Sequence, residues 1–130
     1  MATRAQVLRR LLILAGLIAI PLVTIVARHA AYPTDGWEAA LISLLARTDT
    51  DEAPGYSEQA FLGLRVGMSE TEVRNAVGEP LEVYSAQGVD GGQATGWRFT
   101  RSPGDHSYRV RSLLFEDGRL SRIISQFYVD

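Results

Sequence analysis

The feature that most constrains this chain is the run from Leu11 to Ala27, LLILAGLIAIPLVTIVA, which carries no charge. At about 1.5 Å per residue it spans most of a hydrocarbon core of roughly 30 Å, and Val7, Leu8 or the Ala30-Ala31-Tyr32 flank can extend it. A segment of that kind crosses a membrane or directs export. Arg4, Arg9 and Arg10 precede it and acidic residues soon follow, which predicts a cytoplasmic N-terminus and an extracytoplasmic remainder. A cleavable signal needs a shorter apolar core and small residues at the −3 and −1 positions. Cleavage after Ala30 or Ala31 puts Arg28 or His29 at −3, and cleavage after Ala27 puts Ile25 there. The favoured expectation is therefore an uncleaved signal anchor over residues 1–32, with a cleaved signal as the alternative. Pro21 is tolerated in a spanning helix, where neighbours can satisfy the freed backbone.

Beyond the anchor, a chain of 130 residues leaves room for one small domain. Its mean hydropathy of zero averages two unlike parts. A formal charge of −2 gives no overall attraction to nucleic acid or anionic surfaces, and every basic residue is arginine. With no cysteine there is no disulfide, thiolate metal site, cysteine nucleophile or thioether-linked lipid.

Residues 33–55 read as a juxtamembrane helix and a linker. Asp35 and Glu38 suit a capping box, and Trp37, Ala40, Leu41, Leu44 and Leu45 recur at helical spacing. Such a helix either lies on the lipid surface, with Trp37 near the interface, or packs on protein. Its lack of basic residues favours the second. The polar, acidic stretch from Arg47 to Gly55, broken by Pro54-Gly55, predicts an exposed linker.

A folded domain is expected over residues 56–130. Ser57 can cap a short helix ending before Gly63. Ser69 with Glu72 forms a capping box, and Gly78 and Pro80 end the helix it begins, whose Val73, Ala76 and Val77 share a stripe. Four strands then follow, at Leu81 to Ala86, Thr95 to Arg101, Tyr108 to Glu116 and Leu120 to Val129, separated by Gly- and Asp-rich turns. The expected class is α+β, with short helices on a three- to four-stranded antiparallel meander. Asp117-Gly118 predicts a two-residue hairpin with Glu116 opposite Arg119 and Phe115 opposite Leu120. Continued regularly, Leu114 faces Ser121, Leu113 faces Arg122, Val110 faces Ser125 and Tyr108 faces Phe127.

In that register Tyr108, Val110, Leu114, Ile123 and Phe127 form the face that packs on the helices. The other face carries Leu113, Phe115, Leu120 and Ile124 with Arg109, Arg111 and Arg122. A mixture of apolar residues and arginines suits a protein interface better than bare surface, unless the Trp37 helix covers it. The candidate protein-binding residues are thus Arg109, Arg111, Leu113, Phe115, Arg122, Ile124 and Trp37.

The run Gly67-Met68-Ser69, then Val73, Gly78 and Pro80, resembles the signature of the SmpA/OmlA family, which includes the BamE-type component of the outer-membrane protein assembly machinery. Trp97-x-Phe99 and Phe115-Glu116-Asp117-Gly118 are similar to that family's aromatic second strand and its hairpin. The resemblance covers residues 56–130. It implies a small exported domain of two helices followed by a short antiparallel sheet that works by binding other envelope proteins. The family's exported members carry a lipobox cysteine where this chain reads Ile25-Val26-Ala27-Arg28-His29, so the implied replacement is tethering to the inner membrane by the helix itself.

Chemistry is not expected. Ser102, Asp105, His106 and Ser107 have the residue types of a hydrolase, but neighbours on one short loop rarely converge on a reacting atom. His29 and His106 lie in unlike segments, and Asp49, Asp51 and Glu52 lack the spacing of a calcium loop. No metal, cofactor, small-molecule substrate or nucleic acid is predicted. The expected function is that of a membrane-anchored, non-catalytic module binding an envelope protein. The alternative partners are the outer-membrane assembly machinery and some other envelope protein that it would assist or inhibit.

Overall fold

The computed structural model describes residues 4–104 and 106–130, and it divides into two compact units, residues 1–46 and 47–130. In the first unit, helix α1 (Arg4–Ala31) contains the whole apolar run and is long and apolar enough to cross a membrane. A signal sequence near an N-terminus has the same character. A 3-10 turn (Pro33–Asp35) leads into helix α2 (Gly36–Leu45), which packs back on the last turns of α1. The Trp37 ring stacks on His29 with centroids 3.8 Å apart. Asp35 occupies the N-cap position of α2 but makes no side-chain cap bond, so the expected capping box is not formed.

The second unit is an α+β domain. Ser57 caps α3 (Glu58–Leu62) by accepting from the Ala60 amide. The Ser69–Glu72 capping box of α4 (Glu70–Val77) forms in both directions, so two of the amide groups left orphaned at a helix start are satisfied reciprocally. Gly78, at φ 84°, turns the chain out of α4 where a side chain would be strained.

The main sheet contains β2 (Glu82–Gln87), β3 (Gln93–Arg98), β5 (Tyr108–Glu116) and β6 (Arg119–Tyr128), antiparallel in that order. The stretch expected to be a linker instead contributes strand β1 (Asp51–Glu52), which pairs with β4 (Thr100–Arg101). The Ala53 amide donates to the Phe99 carbonyl at 2.8 Å, and Ala53 lies in the core. Polar composition concealed this role, because a short strand needs only backbone groups and one small apolar residue to join a sheet.

The hairpin holds the predicted pairs Phe115–Leu120 and Glu116–Arg119, and then a bulge intervenes. Ser121 is the extra residue, and its hydroxyl donates to the Leu114 carbonyl at 3.1 Å. Beyond it Leu114 faces Arg122, Leu113 faces Ile123, Val110 faces Gln126 and Tyr108 faces Tyr128, one residue on from the regular register. Since sheet faces alternate with a period of two, that single residue moves Arg122 and Ile124 to the face opposite Leu113 and Phe115.

The orientation of the sheet is also the reverse of the expectation. Phe61, Leu64, Val73 and Val77 from the helical segment pack with Trp97, Phe99, Leu113, Phe115 and Leu120 in one core, joined by the partly buried Ile123. The face expected to meet a partner is the one the helices cover.

Candidate functional site

Three proposed interface residues are therefore corrected. Arg111, Leu113 and Phe115 are all but fully buried, so none of them presents a surface to a partner. Arg111 enters the core with its charge compensated. Its Nη2 and Nε donate to Glu58 Oε1 at 2.8 and 3.0 Å, and Nε also reaches Oε2 at 3.1 Å. Nη1 donates to the carbonyls of Val110 and Gln126 at 3.0 and 3.3 Å. The Tyr56 hydroxyl donates to the same carboxylate at 2.6 Å. Burial, and then the bond to Glu58, push the Tyr56 hydroxyl well above the ordinary phenol range. This triad ties the first turn of α3 to the middle of β5 and is structural.

The other predicted residues are scattered. Arg109 is half-buried near Glu52, 4.0 Å away, and its backbone amide donates to the Thr50 hydroxyl at 3.2 Å. Trp37 belongs to the first unit. Only Arg122 and Ile124 come together, on the sheet face opposite the core.

Two cross-strand rows define that face. One reads Glu82, Arg98, Ser112 and Ile124, and the next Tyr84, Gly96, Leu114 and Arg122. The Tyr84 ring lies where a Cβ on Gly96 would sit, so only glycine allows the ring to cross the sheet there. Arg98 covers the same ring, its guanidinium 5.1 Å from the centroid, and donates to Glu82 at 2.8 Å. Val110 and Gln126 continue the face to Tyr108 and Tyr128, whose rings are 5.6 Å apart. Neither α3 nor α4 packs on this side. Aromatic side chains, arginines and an aliphatic residue on a rigid sheet can recognise a protein through apolar contact and charge-assisted hydrogen bonds.

The sequence pattern does not mark Tyr84 and Arg98 as members of this site, and it places Tyr108 on the packed side. Gly96 was the available signal, since a glycine inside an aromatic strand marks a close approach.

The Ser102 hydroxyl hydrogen-bonds to the carbonyl of Gly104 and, at 3.4 Å, to that of His106, while Ser107 is buried and its hydroxyl accepts from the Asp130 amide at 3.3 Å. These hydroxyls serve the backbone of the loop. Asp105, the third group of that constellation, lies outside the described residues. A shallow depression of about 370 Å³ beside the hairpin has Glu70 and Asp117 as its ionisable groups, with Ser85, Gln93 and Thr95. Among the described residues, no group of three or more His, Cys, Asp or Glu side chains is placed to hold a metal ion.

No family model, curated protein or solved structure matches this chain.

Proposed function

We propose that this protein is a non-catalytic binding module of the cell envelope, tethered to the inner membrane by α1 with its N-terminus in the cytoplasm and the unit 47–130 in the periplasm. The observation that carries this reading is the sheet face opposite the core, where the partly exposed Tyr84, Arg98 and Ile124 and the exposed Arg122 surround the buried Ser112 and Leu114, in a chain that also has a helix of membrane-spanning length. The order of two short helices followed by an antiparallel meander agrees with the SmpA/OmlA-like fold that Gly67-Met68-Ser69 and Phe115-Glu116-Asp117-Gly118 suggest. The partner in this reading is another envelope protein, and the outer-membrane assembly machinery is the candidate that the resemblance singles out. Without a lipid-bearing cysteine, the chain would engage that machinery from the inner membrane.

Photocrosslinking from membranes tests the reading. A photoreactive residue replaces Arg122 in the full-length chain, with a control at Asn75 on the exposed side of α4. Capture of outer-membrane assembly components at Arg122 alone, lost with Arg98→Glu at unchanged melting temperature, is the expected result. Specific capture of a different envelope protein would reassign the partner and keep the site. Equal capture at both positions, or none at either, would remove the binding function.

A further inference from the structure

Helix α2 is built inside out for a water-soluble element. The two buried residues of α2 are small, Ala39 and Ala40, each 5% exposed. Apart from the half-buried Ile42, its large apolar side chains stay largely exposed: Trp37, one ring face of which stacks on His29, is 52% exposed, Leu41 50%, Leu44 39% and Leu45 91%. Those four recur at i, i+4, i+7 and i+8, so they form one continuous stripe. Water would favour the opposite arrangement, because burying a leucine removes far more apolar surface than burying an alanine. In lipid there is no such preference, and helices approach each other through small residues while large ones face the acyl chains. The hydroxyls of Thr24 and Ser43 donate to carbonyls of their own helices, Ile20 at 2.9 Å and Ala40 at 2.8 Å. That internal satisfaction is what a nonpolar surrounding demands.

Depth supports the same occupant. The 28 residues of α1 measure about 42 Å at 1.5 Å per residue, against a hydrocarbon core of roughly 30 Å. The contact with α2 falls where the apolar run of α1 ends, around Thr24, Ile25 and His29, all less exposed than most of the helix. With α1 as a span entering at Arg10, His29 lies about 28 Å along the helix and so reaches the boundary between acyl chains and headgroups. Glu38 is the one charged side chain in α2, and Trp37 and Arg47 flank the leucines as interfacial anchors.

We infer that α2 is a second membrane element, lying in the boundary region of the leaflet that α1 leaves, with Trp37, Leu41, Leu44 and Leu45 immersed in lipid. The inference rests on the reading of α1 as a retained span, and it adds a fixed attachment at the exit point.

Because the chain has no cysteine, a single introduced one gives a unique label. An environment-sensitive fluorophore is placed in full-length protein at Leu41→Cys, Leu44→Cys, Leu17→Cys in α1 or Gln93→Cys in the second unit. Each variant is reconstituted at high dilution in phosphatidylethanolamine–phosphatidylglycerol vesicles, with nitroxide lipids quenching at shallow or deep acyl positions. The expected result is severalfold quenching of the Leu41 and Leu44 labels by the shallow probe, deeper quenching of the Leu17 label, and none at Gln93. If the Leu17 label is quenched while those at Leu41 and Leu44 behave like Gln93, α2 is in water and the inference falls with the anchor intact. Labels on α2 that are shielded from water but unquenched, with energy transfer between chains, would assign the stripe to a second copy and overturn it. An unquenched Leu17 label would remove the span itself.

Discussion

At the scale of single residues, Arg111 shows how one side chain can reverse the meaning of a pattern. An arginine between apolar neighbours on a strand reads as an interface signal, yet here it is completely buried and held by Glu58, itself bonded by the Tyr56 hydroxyl, and by two carbonyls. Removing one partner strands the other charge in the core. Arg111→Ala or Glu58→Ala should therefore cost about 3–5 kcal/mol, a large fraction of the stability of a domain this small, whereas Arg111→Met with Glu58→Leu should cost much less. Urea unfolding of the three variants measures the difference, and equal losses in single and double variants would mean that packing, not charge, dominates. Tyr56 adds a pH dependence. Its folded-state pKa is raised, so above the ordinary value of 10.0 the folded protein holds a proton that the unfolded chain releases. The contribution of Tyr56 to stability should be constant below about pH 10 and decline above it as the unfolded chain ionises. Tyr56→Phe should flatten that limb in thermal melts taken across alkaline pH.

At the scale of elements, the helix signals of the second unit were reliable because they are local. Ser57, Ser69, Glu72 and Gly78 act on amides and carbonyls within a few residues, and each does so as the sequence implies. Strand positions were legible for the same reason, through β-branched and aromatic runs between turns. Register was not, because the Ser121 bulge is a compromise between hairpin geometry and the packing of Ile123 under the helices. Deleting Ser121 should leave the later pairs, Leu114 with Arg122 and Leu113 with Ile123, as they are. The shortened strand would alternate regularly from Leu120 inward to Arg122 outward. The deletion is expected to fold with a smaller loss of melting temperature than Leu113→Ala, which leaves a cavity in the core. A larger loss would show that the bulge sets the twist the helices need.

At the scale of the whole molecule, every buried apolar residue of the main core lies between Ala53 and Leu120, inside the unit 47–130. That fragment alone should therefore unfold cooperatively and show the near-ultraviolet circular dichroism of a packed Trp97. A fragment without a cooperative transition would mean that residues 1–46 contribute to the fold. The sequence by itself determined the membrane-length helix, the two capped helices, the strands, the hairpin and hence the α+β class, because caps, turns and periodicity are properties of a few adjacent residues. The tertiary structure decided the incorporation of residues 51–53 into a sheet, the side of the main sheet the helices cover, the burial of Arg111 and the inward small face of α2. Each of these depends on a partner distant in sequence or on the surrounding solvent. Sequence periodicity shows that a face differs from its opposite, but what packs against it determines which one is inside.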